Sequence, residues 1–263
     1  GPEVEPLQLQ VYADAGRREG LTVGAAFIHD LSTTTRHDVP VDVAYIDSAE
    51  LRVTIAADAL VARPVLMELA CDFFKLQPPT RLRFRDETLS GTLLALTSGK
   101  ADLALGVSPA PATNAGLHSQ PMGPVGFVFA VAPHHPLATG EGTLSDDDLR
   151  RHRAVAVADS VQRGSGLTVS LLGGQDVFTV PTMQAKLDAQ LRGLGCGFLP
   201  EPMARPYVET GRLVVRRVAR APLVAHPRYA WRADARPGRA LQWWLDQLHS
   251  PVTRLALLER HHH

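Results

Sequence analysis

Apolar positions along the chain change period several times, and each change marks an element. Residues 51–57 alternate β-branched and small side chains as a strand does, and they run into Asp58, a residue type suited to an N-cap. Val61, Val65, Leu69 and Phe73 then recur four apart with Leu66, Ala70 and Phe74 beside them, which predicts a helix with a broad apolar face. Pro78 and Pro79 end it. A strand over 81–85, a helix over 89–96 closed by Ser98 and Gly99, and a mostly apolar strand over 101–107 complete a β-α-β-α-β run. Such alternation predicts a parallel sheet with helices on its faces and ligands beyond the carboxyl ends of the strands.

A Pro- and Gly-rich stretch at 109–116 breaks the pattern, and the buried-strand signature of 126–133 then leads into a second lobe. There, Ser145 with Asp146, Asp147 and Asp148 resembles a capping box, while 154–158 and 176–180 read as strands. Thr182 caps a helix along which Leu187, Leu191 and Leu194 line up, with Gly193 and Gly195 ending it. A helix at 201–209 and strands at 213–218 and 229–231 follow, and Leu241, Trp244, Leu245 and Leu248 mark a final amphipathic helix. Its position after the second lobe implies that the chain returns to the first, so two crossings flank a cleft. The expected layout is two α/β lobes, the first from 51–131 and 225–260 and the second from 132–224. Residues 1–50 hold strand-like runs at 21–28 and 39–46 among polar stretches and have no assigned fold; Gly1-Pro2 and 261–263 read as a protease scar and a purification tag.

The 263 residues contain 27 Lys plus Arg against 27 Asp plus Glu, so the chain has no bulk basic field for nucleic-acid phosphates. No apolar run approaches the ~18 residues of a membrane span, and no basic-then-apolar leader is present, so neither a membrane partner nor secretion is expected. Cys71 and Cys196 are too few and too far apart for a disulfide framework, which suits a reducing cytoplasm. His134-His135 lacks Cys, Asp or Glu partners at ligand spacing, so no metal or other cofactor is expected. Cys196, between two glycines, reads as a small buried hydrophobe rather than a redox centre. Ser108, His118 and Asp159 lie near strand ends but share no catalytic signature, and the Gly173-Gly174 and Gly164-x-Gly166 pairs are turn signals; no enzyme activity is expected.

Several phrases carry a resemblance: LRVTIAADALVARPVL, LLALTSGKADLALGV, FVFAVAPHHPLA, LRGLGCGFLPEPMARPYVETGRLV and the closing YAWRAD. In this order and spacing they resemble the effector-binding domain of LysR-type transcriptional regulators. The resemblance implies two Rossmann-like lobes joined by a two-strand hinge, in the manner of type 2 periplasmic binding proteins. It also implies a small-molecule effector in the cleft, side-by-side homodimerisation, a cytoplasmic location, and DNA contact only through a winged helix-turn-helix that residues 1–50 do not match. The chain is therefore expected to be a truncated sensor. A transport-dedicated solute-binding protein of the same architecture is the competing reading.

Ala57, Asp58, Thr88, Leu89, Ser108, Asp159, Thr182 and Phe198 form the expected ligand-binding set. Helix N-termini at Asp58 and Thr182 would face the cleft with unpaired N–H groups. Relatives that bind carboxylates usually present Ser or Thr where Asp58 stands. Because Asp58, Glu87 and Asp159 are all acidic, a ligand with a cationic or hydrogen-donating group is as consistent with the residues as a simple carboxylate.

Overall fold

The structure is a computed structural model, and it describes residues 26–30, 35–39, 52–108, 116–159, 171–233 and 237–262. The chain divides into two units. In the first, strands β1 (Ala26–Asp30) and β2 (Thr35–Val39) pair antiparallel, Ala26 opposite Val39 and Asp30 opposite Thr35. The second strand takes in Thr35, the last residue of the polar 32–35 stretch, and ends its described span at Val39. The remainder of the expected runs at 21–28 and 39–46 lies outside the described residues.

The second unit, 53–77 with 82–263, opens with β3 (Arg52–Asp58), α1 (Arg63–Lys75), β4 (Arg81–Glu87), α2 (Gly91–Thr97) and β5 (Leu103–Val107), in the expected order, all but the first residues of β3 and β4 falling within it. Helix α1 starts four residues later than an Asp58 cap requires. Its N-cap is Ala62, which makes no side-chain bond, and Pro64 occupies the first turn, where a missing N–H costs nothing. Asp58 instead ends β3 and accepts the N–H of Leu60, turning the chain before the helix. A short acceptor side chain does either job, which is why the sequence misleads at this point.

Next come β6 (Leu117–Pro121) and β7 (Val125–Val131). Beyond β7 lie α3 (Asp146–Arg150), β8 (Ala154–Val157), β9 (Val177–Val180), α4 (Met183–Leu191), β10 (Gly197–Pro200), α5 (Glu201–Glu209) and β11 (Val214–Arg216). The chain closes with β12 (Val224–Ala225), β13 (Arg228–Arg232), α6 (Arg239–His249) and α7 (Pro251–Glu259). The pattern did not mark β6, β12 or α7. Ser145 and Asp148 form the expected capping box at α3.

Lobe I is a five-stranded sheet in the order β4-β3-β5-β13-β6, with β3 and β5 parallel and β13 antiparallel to both its neighbours. Leu103 and Leu105 of β5 join Ile55, Leu66, Phe73, Tyr229, Trp244 and Leu257 in one core, whereas Ala104 packs with Leu96 of α2 and Ala230 in another. Helices therefore cover both faces of the sheet, and the period-two alternation of β5 allots its side chains between them. Val107 breaks that alternation by packing with Ala104. The reason is Gly106, whose φ of +86° puts it in the left-handed region, and β13 skips it, pairing Tyr229 with Leu105 and Arg228 with Val107. This bulge re-aims the end of β5.

Lobe II is built on β7, flanked by antiparallel β10 and β11, while β8 pairs parallel with β9 and bridges to Cys196 at Ala154. The two lobes are joined by two strands. At its start β7 pairs with β12, Val125 opposite Ala225 and Gly126 opposite Val224, and the Phe127 N–H reaches the Leu223 carbonyl at 2.9 Å. From Phe127 onward β7 pairs with β10. A single strand thus begins at the hinge and runs into the lobe II sheet.

Candidate functional site

A cavity of about 330 Å³ lies where the lobes meet. Lobe I supplies the chain after β3 (Asp58, Ala59, Leu60), the turn after β4 (Thr88, Leu89) and the end of β5 (Gly106, Ser108). All three lie at the carboxyl ends of strands in the lobe I sheet, where this architecture opens a crevice. Lobe II contributes Ala156, Val157, Met183, Lys186 and Phe198, and the hinge lines it with Phe127, Leu223, Val224 and Ala225. The walls are predominantly apolar, so the few polar groups fix what can bind.

Asp58 is the acidic group. It is 7% exposed, and its carboxylate accepts the Leu60 N–H through Oδ1 at 2.9 Å and the Leu89 N–H through Oδ2 at 3.0 Å. Burial pushes its pKa up to about 6, against the pull of those two N–H groups and of Arg63. Lys186 is the basic group, 9% exposed, with its pKa lowered to about 8 by burial. The Cys196 thiol nearby is itself pushed up to about 11 by burial and stays neutral at physiological pH, so it gives Lys186 no counter-charge. That also makes Cys196 a poor nucleophile.

Five of the expected residues line the cavity: Asp58, Thr88, Leu89, Ser108 and Phe198. Three have other places. Ala57 is fully buried, and its carbonyl accepts from the Arg63 guanidinium at 3.1 Å. Thr182 does cap α4, accepting the Ala185 N–H at 3.1 Å, but its side chain is exposed and Met183 and Lys186 face the cavity from that helix instead. Asp159 is engaged across the lobes, taking the Ser90 hydroxyl at 2.8 and 2.7 Å on its two oxygens, while Thr88 Oγ1 donates to the Ala158 carbonyl at 3.0 Å. These bonds fasten the turn after β4 to lobe II. Glu87 is held by Arg85 at 3.0 Å and does not line the cavity.

Lys186 was not anticipated. The signal was faint: of 27 basic residues only Lys75, Lys100 and Lys186 are lysines, and Lys186 stands beside Leu187 in a helix read for its leucines. Other candidates dissolve into structure. His135 Nδ1 accepts the Leu137 N–H at 3.1 Å and caps a short 3-10 turn, and His118 packs against Trp231. Among the described residues no cluster of His, Cys, Asp or Glu could hold a metal ion.

Residues 47–251 match the LysR substrate binding domain family. Among curated proteins, the chain is 34% identical over 199 residues to the uncharacterized HTH-type transcriptional regulator YeeY of Escherichia coli, covering 76% of this chain and 64% of YeeY. Full-length LysG from Corynebacterium glutamicum, solved with bound effector Arg, superposes with a TM-score of 0.59 at 19% identity, covering 97% of this chain and 91% of LysG. The regulatory domain of CcmR from Synechocystis PCC6803, in complex with 2-PG, superposes at 0.56 with 17% identity, covering 75% of this chain and 95% of that one. The chain belongs to the LysR family through its substrate-binding domain, with the two-lobed, hinge-connected α/β fold of type 2 periplasmic binding proteins.

Proposed function

We propose that the chain is the effector-binding part of a cytoplasmic LysR-type transcriptional regulator, that it takes a small metabolite in the inter-lobe cavity, and that it carries out no chemistry on it. The observation that carries this reading is the cavity itself, closed in by both lobes and lined by both hinge strands. A ligand there touches every element whose relative position defines an open or a closed arrangement. Binding then shifts the population between arrangements in proportion to its differential affinity, and the whole regulator passes that shift to DNA through its helix-turn-helix. LysG with Arg and the CcmR regulatory domain with 2-PG support the same use of the fold. The relatives are regulators, which removes the support for a transport-dedicated binding protein.

A thermal-shift screen of small metabolites tests it. A ligand at ~100 times its dissociation constant adds ~2.7 kcal/mol of stability. Filling the cavity with Leu223→Trp is expected to abolish the shift; a ligand that stabilises both proteins equally binds elsewhere and ends the cleft reading.

A further inference from the structure

The cavity holds a buried cation that no described residue neutralises. Thr182 fixes the start of α4, and the helix then turns Leu187 into the lobe II core while Met183 and Lys186 face the cavity. Among the described residues no hydrogen bond or ion pair engages Lys186 Nζ, and the nearby Cys196 thiol is neutral. One turn along the helix, Gln190 is fully buried and neither its Nε2 nor its Oε1 has a partner. Both side chains crowd the same point: a Cβ on Gly197 would meet Gln190 Nε2 at 3.0 Å and Lys186 Nζ at 3.3 Å. An uncompensated ammonium in an apolar wall is costly, and an anionic group brought into the cavity offsets part of that cost.

The other charge in the cavity is of opposite sign and belongs to the other lobe. Asp58 is influenced by Arg63, not by Lys186, so the two cavity charges do not neutralise one another. An anionic ligand group is attracted to the Lys186 end and repelled from the Asp58 end. One lysine balances a monoanion; a phosphate dianion needs more donors than this wall offers. The volume of about 330 Å³ corresponds to on the order of ten water-sized groups.

We propose that Lys186 is the anion-binding residue of the cleft, and that the ligand is a compact monocarboxylate whose carboxylate pairs with Lys186 Nζ, whose apolar body lies among Phe127, Met183, Phe198 and Leu223, and whose opposite end presents an amine or hydroxyl to Asp58. The inference rests on the effector-binding reading and narrows it to a class of ligand held in one orientation.

The test uses compounds matched in skeleton: phenylpropanoate, phenylalanine, phenethylamine and phenylpropanamide, and isocaproate, leucine, isoamylamine and isocaproamide. Each is measured by thermal shift and calorimetry against the unmodified chain, Lys186→Met, Lys186→Arg and Leu223→Trp, with circular dichroism as the check of fold. Carboxylates are expected to stabilise the unmodified chain, those bearing an amine most. Lys186→Met is expected to weaken them by at least about tenfold, Lys186→Arg to restore part of the loss, and Leu223→Trp to abolish binding. Amines or amides that bind as well as carboxylates overturn the proposal, as does undiminished binding in Lys186→Met. If Leu223→Trp still abolishes that binding, the cleft reading survives without the lysine. Binding that persists in Leu223→Trp defeats the cleft reading itself, and a panel in which nothing stabilises the unmodified chain refutes the ligand class.

Discussion

Asp58 Oδ2 accepts the backbone N–H of Leu89 at 3.0 Å, tying the end of β3 to the turn after β4. Leu89 has a φ of +52°, a left-handed conformation that costs a non-glycine residue of order 1 kcal/mol or more and persists because its surroundings hold it. The bond to Asp58 is the local restraint, and the next residue but one, Gly91, begins α2. A buried carboxylate thus shapes one side of the cavity before any ligand arrives.

Replacing Asp58 by Ala leaves the Leu60 and Leu89 N–H groups without their acceptor, at about 1–3 kcal/mol for each group that stays dry. It also removes a carboxylate whose pKa is raised from 3.8 to about 6, a cost of roughly 3 kcal/mol when it is charged. The two effects nearly cancel at neutral pH, so global stability should change little while the Leu89 amide loses hydrogen-exchange protection. The pH dependence carries the sign. A raised carboxyl pKa means the folded state binds more protons between 3.8 and about 6, so the protein loses stability as pH rises through that window. Asp58→Ala should lack that decline; urea titrations across the window that show equal slopes for both proteins would contradict the buried-acid account.

Lys186→Met makes a separate prediction about the unliganded protein. The lysine pKa falls from 10.5 to about 8 on folding, so the folded state binds fewer protons in that window and stability rises with pH across it. Below pH 8 the burial cost is fully present, on the order of 3 kcal/mol. Met keeps the length and drops the charge, so the variant should be more stable than the parent at pH 7, by an amount that falls below about 1 kcal/mol at pH 10. An equal difference at both pH values would show that the charge is not buried.

The bonds from Ser90 to Asp159 and from Thr88 to the Ala158 carbonyl cross between the lobes beside the cavity. A hydrogen bond to a charged acceptor contributes about 1.5–3 kcal/mol, enough to bias lobe opening. Ser90→Ala should therefore speed amide exchange at Ala158 and Asp159 and raise the association rate of a ligand, with lobe I stability unaltered. An unchanged association rate would mean that these contacts do not gate entry.

Gly106→Ala probes the bulge in β5. At φ +86° a side chain is strained, and its Cβ would lie 2.6 Å from Asp58 Cβ, so one of the two strand ends must move. A loss of about 2 kcal/mol or more is expected in chemical denaturation. A fully stable variant would show that the ends of β3 and β5 are free to separate.

How legible this was depended on the kind of signal. Val65, Leu69 and Phe73 marked α1 and its buried face because helical period and burial report the same thing, although Val61, read with them, falls before the Ala62 N-cap; the turn phrases around Ser145 and Thr182 located caps because their hydrogen bonds are local. Gly106 stayed silent, since a bulge is defined by what its partner strand skips. Strand β12, which is Val224–Ala225 and pairs with β7, is too short for any period to show, although it is half of the hinge. Thr88, Leu89 and Ser108 could be placed at the cleft from strand ends alone, whereas Asp58 reads there as a helix cap and reaches the cleft as the end of β3. Lys186 could not be placed, because its place in the cavity wall follows from how α4 rotates against the lobe II sheet, a tertiary fact.

The last prediction concerns self-association. On α1, Val65, Leu66, Leu69, Ala70 and Phe73 are buried, while Met67 at 46%, Phe74 at 53% and Cys71 remain exposed. Positions 67, 71 and 74 are spaced i, i+4 and i+7, so they form one stripe on the side away from the sheet. A helix needs one apolar stripe to seat on its own domain, and a second invites a partner. Because a two-fold dimer uses the same patch on both chains, a stripe carried by every copy suits a symmetric interface. The chain is expected to dimerise through it, and Met67→Asp with Phe74→Asp should give a folded monomer by placing charges in the seam, with ligand binding in the cleft retained. Light scattering decides the matter: a parent chain that is monomeric at tens of micromolar, or a double variant that still dimerises, removes α1 from the interface.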